Sequence, residues 1–125
     1  MDMDNTLVEL FSGSDEIESV PRGAVIFAEG DTAAEMYALL QGEVEIFAQG
    51  RVLQTLPAGS LFGEMALIDA QPRSAGCRAA SDCRLVRISA KQFNFLVQNM
   101  PAFALMTLRG VSARLRGMLG RELQA

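Results

Sequence analysis

The feature that most constrains this chain is the rhythm of its turns. Pro21-Arg22-Gly23, Glu29-Gly30-Asp31, Gln41-Gly42, Gln49-Gly50 and Pro57-Ala58-Gly59 follow one another at short intervals. Between them lie AVIFA, MYALL, VEIFA and RVLQTL, short runs rich in Val, Ile, Phe, Tyr and Leu. Short strands separated by closely spaced turns predict a β-sandwich or barrel. Val44, Ile46 and Ala48 alternate with Glu43, Glu45 and Phe47, as in a strand with one buried face.

The β pattern pauses at LFGEMALIDAQP, residues 61–72, where Glu64 to Ile68 allows one helical turn and Pro72 stops it. SAGCRAA and CRLVRIS follow, joined by a Ser81-Asp82 turn, and read as a hairpin. Beyond them the chain turns helical. Ser89 and Gln92 have capping-box spacing, and Phe93, Leu96 and Val97 form an apolar stripe. Asn99-Met100-Pro101 breaks that helix, and Pro101 suits the first turn of a second one running to about Leu123. Ala104, Leu108, Val111, Leu115 and Met118 mark an a/d seam on it. Gly110, Gly117 and Gly120 weaken this helix by about 1 kcal/mol each relative to alanine. The expected organisation is one domain in three parts. Residues 1–15, with the apolar run LVELF, form a short helix or tether; 16–89 form the roll; 90–125 form the C-terminal helices.

Composition narrows the function. The chain has 125 residues, enough for one domain, and half are hydrophobic. There is no histidine, which excludes histidine triads, histidine bases and histidine metal sites. The two cysteines, Cys77 and Cys83, lack CxxC spacing and read as small buried hydrophobes. A net charge of −4 argues against nucleic-acid binding by this chain alone. No apolar run approaches the length of a membrane span, so a cytoplasmic location is the default expectation and no membrane contact is expected.

The candidate site is Phe62-Gly63-Glu64-Met65-Ala66-Leu67-Ile68, followed by Pro72-Arg73-Ser74-Ala75. A glycine before a one-turn helix lets a ligand approach free backbone N–H groups. The Arg73 guanidinium can hold a phosphate through two parallel hydrogen bonds, with the Ser74 hydroxyl and the Ala75 amide adding donors. Glu64 repels phosphate and so addresses another part of the ligand, for which a ribose hydroxyl is a natural partner. Taken alone, Glu64 and Arg73 would more simply bridge a loop as an ion pair.

The run FGEMALIDAQPRSA resembles the phosphate-binding cassette of the cyclic nucleotide-binding domains. PRGAVIFAEGD and EMYALLQGEVEIF resemble that family's preceding strands and turns, the second as a hairpin, and the likeness covers roughly residues 16–123. It implies a mainly β fold, a double-stranded β-helix (jelly-roll) with a short cassette helix and C-terminal helices. It implies a sensor for cAMP or cGMP, not an enzyme, whose C-terminal helix moves with the ligand about a hinge near Asn99-Met100-Pro101. Phe62, Gly63, Glu64, Met65, Ala66, Arg73, Ser74 and Ala75 would form the binding site, with Glu64 on the ribose 2′-hydroxyl and Arg73 on the cyclic phosphate. Gly76 departs from the larger residue many members carry there. Val52, Leu53, Leu61 and Cys77 are candidates for pocket walls, and Arg109, Arg114 or Arg116 for contact with the base from a helical lid. No cofactor beyond the cyclic nucleotide is implied. The seam on the last helix offers a homodimer, or packing on the chain's own roll, and the effector is open. The alternatives are the sensor piece of a transcription regulator or channel, and a β-roll interaction module without ligand.

Overall fold

The computed structural model describes residues 16–124. The LVELF run lies outside them. Eight strands precede the C-terminal helices: β1 (Ile17–Val20), β2 (Val25–Phe27), β3 (Glu35–Gln41), β4 (Val44–Ala48), β5 (Arg51–Leu56), β6 (Leu61–Phe62), β7 (Gly76–Ala79) and β8 (Cys83–Ser89). A short helix α1 (Met65–Asp69) interrupts them, and α2 (Ala90–Asn99) and α3 (Pro101–Gln124) follow. The strands form two antiparallel four-stranded sheets, ordered β1-β8-β3-β6 and β2-β7-β4-β5. This is the expected mainly β jelly-roll.

Two expected hairpins are corrected. SAGCRAA and CRLVRIS do not pair: β7 lies between β2 and β4, while β8 lies between β1 and β3 in the other sheet. Likewise β3 and β4, on either side of Gly42, belong to different sheets. Both turns are corners that carry the chain across the sandwich, and they pack on each other. A Cβ on Gly42 would stand 2.4 Å from the Asp82 carbonyl oxygen, and Gly42 has φ +88°, so glycine is required there twice over. The β4–β5 connection is a true hairpin, with Gln49 at φ 54° and Gly50 at φ 75°, both residues left-handed as a two-residue turn demands.

Burial explains why MYALL reads as an unbroken apolar run. Tyr37 and Leu39 of β3 face the core between the sheets, with Val44, Phe62, Cys77 and Leu85. Met36, Ala38 and Leu40 face the other way, onto a second core with Phe103 and Met106 of α3 and with Phe93 and Leu96 of α2. A strand covered on both faces loses its alternation. The expected capping box is present: the Gln92 N–H donates to Ser89 Oγ, and the Ser89 N–H donates to Gln92 Oε1. Helix α3 leans on the roll through Phe103, Met106 and Thr107. Its seam residues Leu108, Leu115 and Met118 stay exposed, at 61%, 55% and 51%.

Candidate functional site: a cleft between the cassette and the last helix

The sequence from Phe62 to Ala75 folds back on itself beside the opening between the sheets. Strand β6 ends at Phe62, Gly63 turns the chain at φ +79°, and α1 begins with Glu64 as its N-cap. A Cβ at Gly63 would lie 2.9 Å from Arg73 Nη1 and 3.2 Å from the Tyr37 ring, so the close approach of Arg73 depends on that glycine. The Glu29-Gly30-Asp31 turn holds the return segment. The Gly30 N–H donates to the Arg73 carbonyl, and the Arg73 N–H donates to the Asp31 carbonyl, both at 2.8 Å.

Arg73 is buried, 6% exposed, yet its guanidinium meets only neutral groups among the described residues. Nη1 donates to the Gly63 carbonyl at 2.6 Å and Nη2 to the Glu35 carbonyl at 2.5 Å. Its Cζ lies 4.1 Å from the centroid of the Phe27 ring, over that ring. No Arg73–Glu64 ion pair forms. Glu64 is 1% exposed and is paired instead with Arg114, reaching in from α3. Beyond that ion pair neither carboxylate oxygen has a hydrogen-bond donor. Arg114 also donates from Nη1 to the Leu61 carbonyl at 3.3 Å. Burial pulls the Arg114 guanidinium below its ordinary pKa.

The structure thus brings Phe62, Gly63, Glu64, Met65, Ala66, Arg73, Ser74 and Ala75 to one cleft, which Phe27, Ile46, Asp69, Gln71, Pro72 and Arg114 also line. Of the three lid candidates, only Arg114 reaches this cleft; Arg109 and Arg116 are exposed on α3. The expected apolar walls lie elsewhere. Leu61 and Cys77 are packed in the two cores, and Val52 and Leu53 are exposed on β5. Phe27 and Ile46 take that role because β2 and β4 carry them to the cleft side of their sheet, a placement no local pattern encodes. Gly76 also gains a reason. A Cβ there would stand 2.5 Å from the Phe47 ring, so the small residue makes room for Phe47 on the neighbouring strand.

Residues 17–100 match the family model of the cyclic nucleotide-binding domain. The chain belongs to this family. A cyclic nucleotide-gated potassium channel of Rhizobium etli is 37% identical over 98 residues, which is 78% of this chain and 27% of the channel. The cyclic AMP receptor protein of Thermus thermophilus is 34% identical over 101 residues, 77% of this chain and 47% of the receptor. The chain therefore spans less than half the length of either relative. Among solved structures, a cyclic nucleotide-binding domain from Methylobacillus flagellatus superposes with a TM-score of 0.76 at 27% identity, covering 96% of this chain and 72% of that one. The family's role is cyclic nucleotide sensing in regulation, and the cassette resemblance is borne out at the level of family and fold. No helix among the described residues is long and apolar enough to cross a membrane.

Proposed function

We propose that this cleft binds cAMP or cGMP through its phosphate and ribose and passes the event to the C-terminal helix. The carrying observation is Arg73: a buried cation with no carboxylate partner among the described residues, lining a cleft. A buried charge without a counter-charge is costly, and an anion in the cleft supplies one. Ser74 and the Ala75 amide stand beside Arg73 as further donors to phosphate oxygens. Glu64 is the acceptor suited to a 2′-hydroxyl, since its oxygens have no donor apart from the Arg114 guanidinium. A sugar hydroxyl at Glu64 therefore meets Arg114, a side chain by which α3 contacts the cassette. That gives ligand and helix a shared contact, which a population shift requires. Residues 16–89 act in this reading as the ligand-holding unit and 90–125 as the part that responds, with the hinge near Asn99-Met100-Pro101.

The protein is a binding module, not an enzyme, in the cytoplasm, with the nucleotide as its ligand and no separate cofactor. Neither nucleic acid nor membrane is a partner of this segment. The buried Arg73, without a carboxylate partner among the described residues, favours a ligand-holding roll over a roll without ligand. A regulatory-subunit structure described as cAMP-bound, PfPKA-R, superposes at TM-score 0.63 and 29% identity, which supports cAMP as one of the two ligands. Separate calorimetric titrations with cAMP and cGMP test the reading, joined to hydrogen exchange over residues 100–123. Saturable binding of one or both, with changed exchange in that segment, is expected. Absence of binding to either would sink it.

The apolar seam on α3 fits a second copy of this chain. Leu108, Leu115 and Met118 are spaced as a self-complementary coiled-coil seam and are exposed among the described residues. The protein is expected to run as a dimer in light scattering, and Leu108→Glu with Leu115→Glu to make it monomeric while circular dichroism still shows the folded roll, with a melting temperature no longer dependent on concentration. A monomeric parent protein would rule the seam out as a dimer interface.

A further inference from the structure

Arg73 is held by an aromatic ring as well as by two carbonyls, and the nearer ring, Phe27, comes from outside the cassette. Phe27 ends β2, and its ring is itself fixed. It stacks on Tyr37 with centroids 5.7 Å apart and 21° between planes, and Tyr37 stacks on Phe62 at 5.1 Å. Tyr37 and Phe62 are 2% and 1% exposed. The Glu35 carbonyl that accepts from Arg73 belongs to the same strand as Tyr37. The Glu35 carboxylate accepts from Arg87 Nη1 at 2.6 Å, which ties that end of β3 to β8.

We propose that Phe27 is a positioning residue for phosphate recognition: its ring sets the plane of the Arg73 guanidinium. This rests on the cleft being the cyclic nucleotide site. All five donors of a guanidinium lie in its plane, so a ring on its face takes no hydrogen bond away. The two carbonyls of Gly63 and Glu35 fix two points on its edge. Two points leave it free to rock about the line between them, which would swing the remaining N–H groups out of line with a bound phosphate. The Phe27 ring, its centroid 4.1 Å from the Arg73 Cζ, limits that rocking and adds a cation–π attraction. Charge-assisted bonds weaken steeply with misalignment, so the plane matters as much as the charge.

The test is affinity for cAMP and cGMP, by calorimetry, across a mutant cycle in the full chain. Phe27→Leu keeps an apolar side chain but no aromatic face, and is expected to weaken binding about five- to tenfold. Phe27→Tyr keeps the face and should stay within about twofold of the parent. In an Arg73→Lys background there is no plane to set, so Phe27→Leu should cost less than about twofold more. Circular dichroism confirms folding; should Phe27→Leu not fold, Phe27→Met serves the same comparison. Unchanged affinity in Phe27→Leu, or an equal loss in the Arg73→Lys background, would overturn the proposal. A parent protein that binds neither nucleotide would overturn the functional reading beneath it instead.

Discussion

Arg73→Leu is expected to weaken cyclic nucleotide binding by about a hundredfold or more. Two charge-assisted hydrogen bonds to a phosphate contribute roughly 1.5–3 kcal/mol each, or about 3–6 kcal/mol together, and each 1.4 kcal/mol is about tenfold in affinity. The burial of Arg73 strengthens the case, because its charge meets carbonyls and a ring but no carboxylate among the described residues. Arg73→Lys restores a cation without the planar fork and should recover only part of the affinity. The carbonyls of Gly63 and Glu35 lose their donor in the leucine variant, so thermal melting must accompany the titration. A folded Arg73→Leu variant with parent-like affinity would remove the phosphate from this cleft.

Arg114→Leu carries the second large effect, on stability. It strands Glu64, 1% exposed, as a buried carboxylate with no counter-charge. Breaking a buried ion pair from one side costs about 3–5 kcal/mol, whereas replacing both partners by apolar groups is often close to neutral. For a domain of this size that corresponds to a fall in melting temperature of roughly 10–20 °C. The double variant Arg114→Leu/Glu64→Leu should recover most of the loss. It should also bind a cyclic nucleotide no better than the 2′-deoxy analogue, since the acceptor for that hydroxyl is gone. A single variant as stable as the parent would show that the pair is not what neutralises Glu64.

The legible parts of this molecule are those written in adjacent residues. The Ser89–Gln92 capping box, the Gln49-Gly50 hairpin and the run from Phe62 to Ala75 each depend on neighbours a few positions apart. Spacing alone sets the first two, while the third also needs the Glu29-Gly30-Asp31 turn to hold its return segment. The illegible parts depend on partners far along the chain. Phe27 and Ile46 reach the cleft, and the strands flanking Ser81-Asp82 separate into different sheets, through pairings that no local pattern records. The same holds for the helix. An amphipathic stripe announces that a helix has an inner face, but Phe103, Met106 and Thr107 turned inward where the a/d seam remained outside.

What the sequence determined by itself is a set of short strands and turns that predicts a β-sandwich or barrel, and a contiguous run from Phe62 to Ala75 that resembles the cyclic nucleotide cassette. Glycines at the turns restrict where the chain can bend, and the cassette is contiguous, so both follow from local chemistry. Only the tertiary structure decided which charges meet. Glu64 and Arg73, nearest in sequence, do not pair, because Gly63 and the Glu29-Gly30-Asp31 turn direct Arg73 to two carbonyls and a phenyl ring. The crossing of α3 past β6 brings Arg114 to Glu64 instead. An ion pair depends on distance and burial, and both are set by packing between elements rather than by position along the chain.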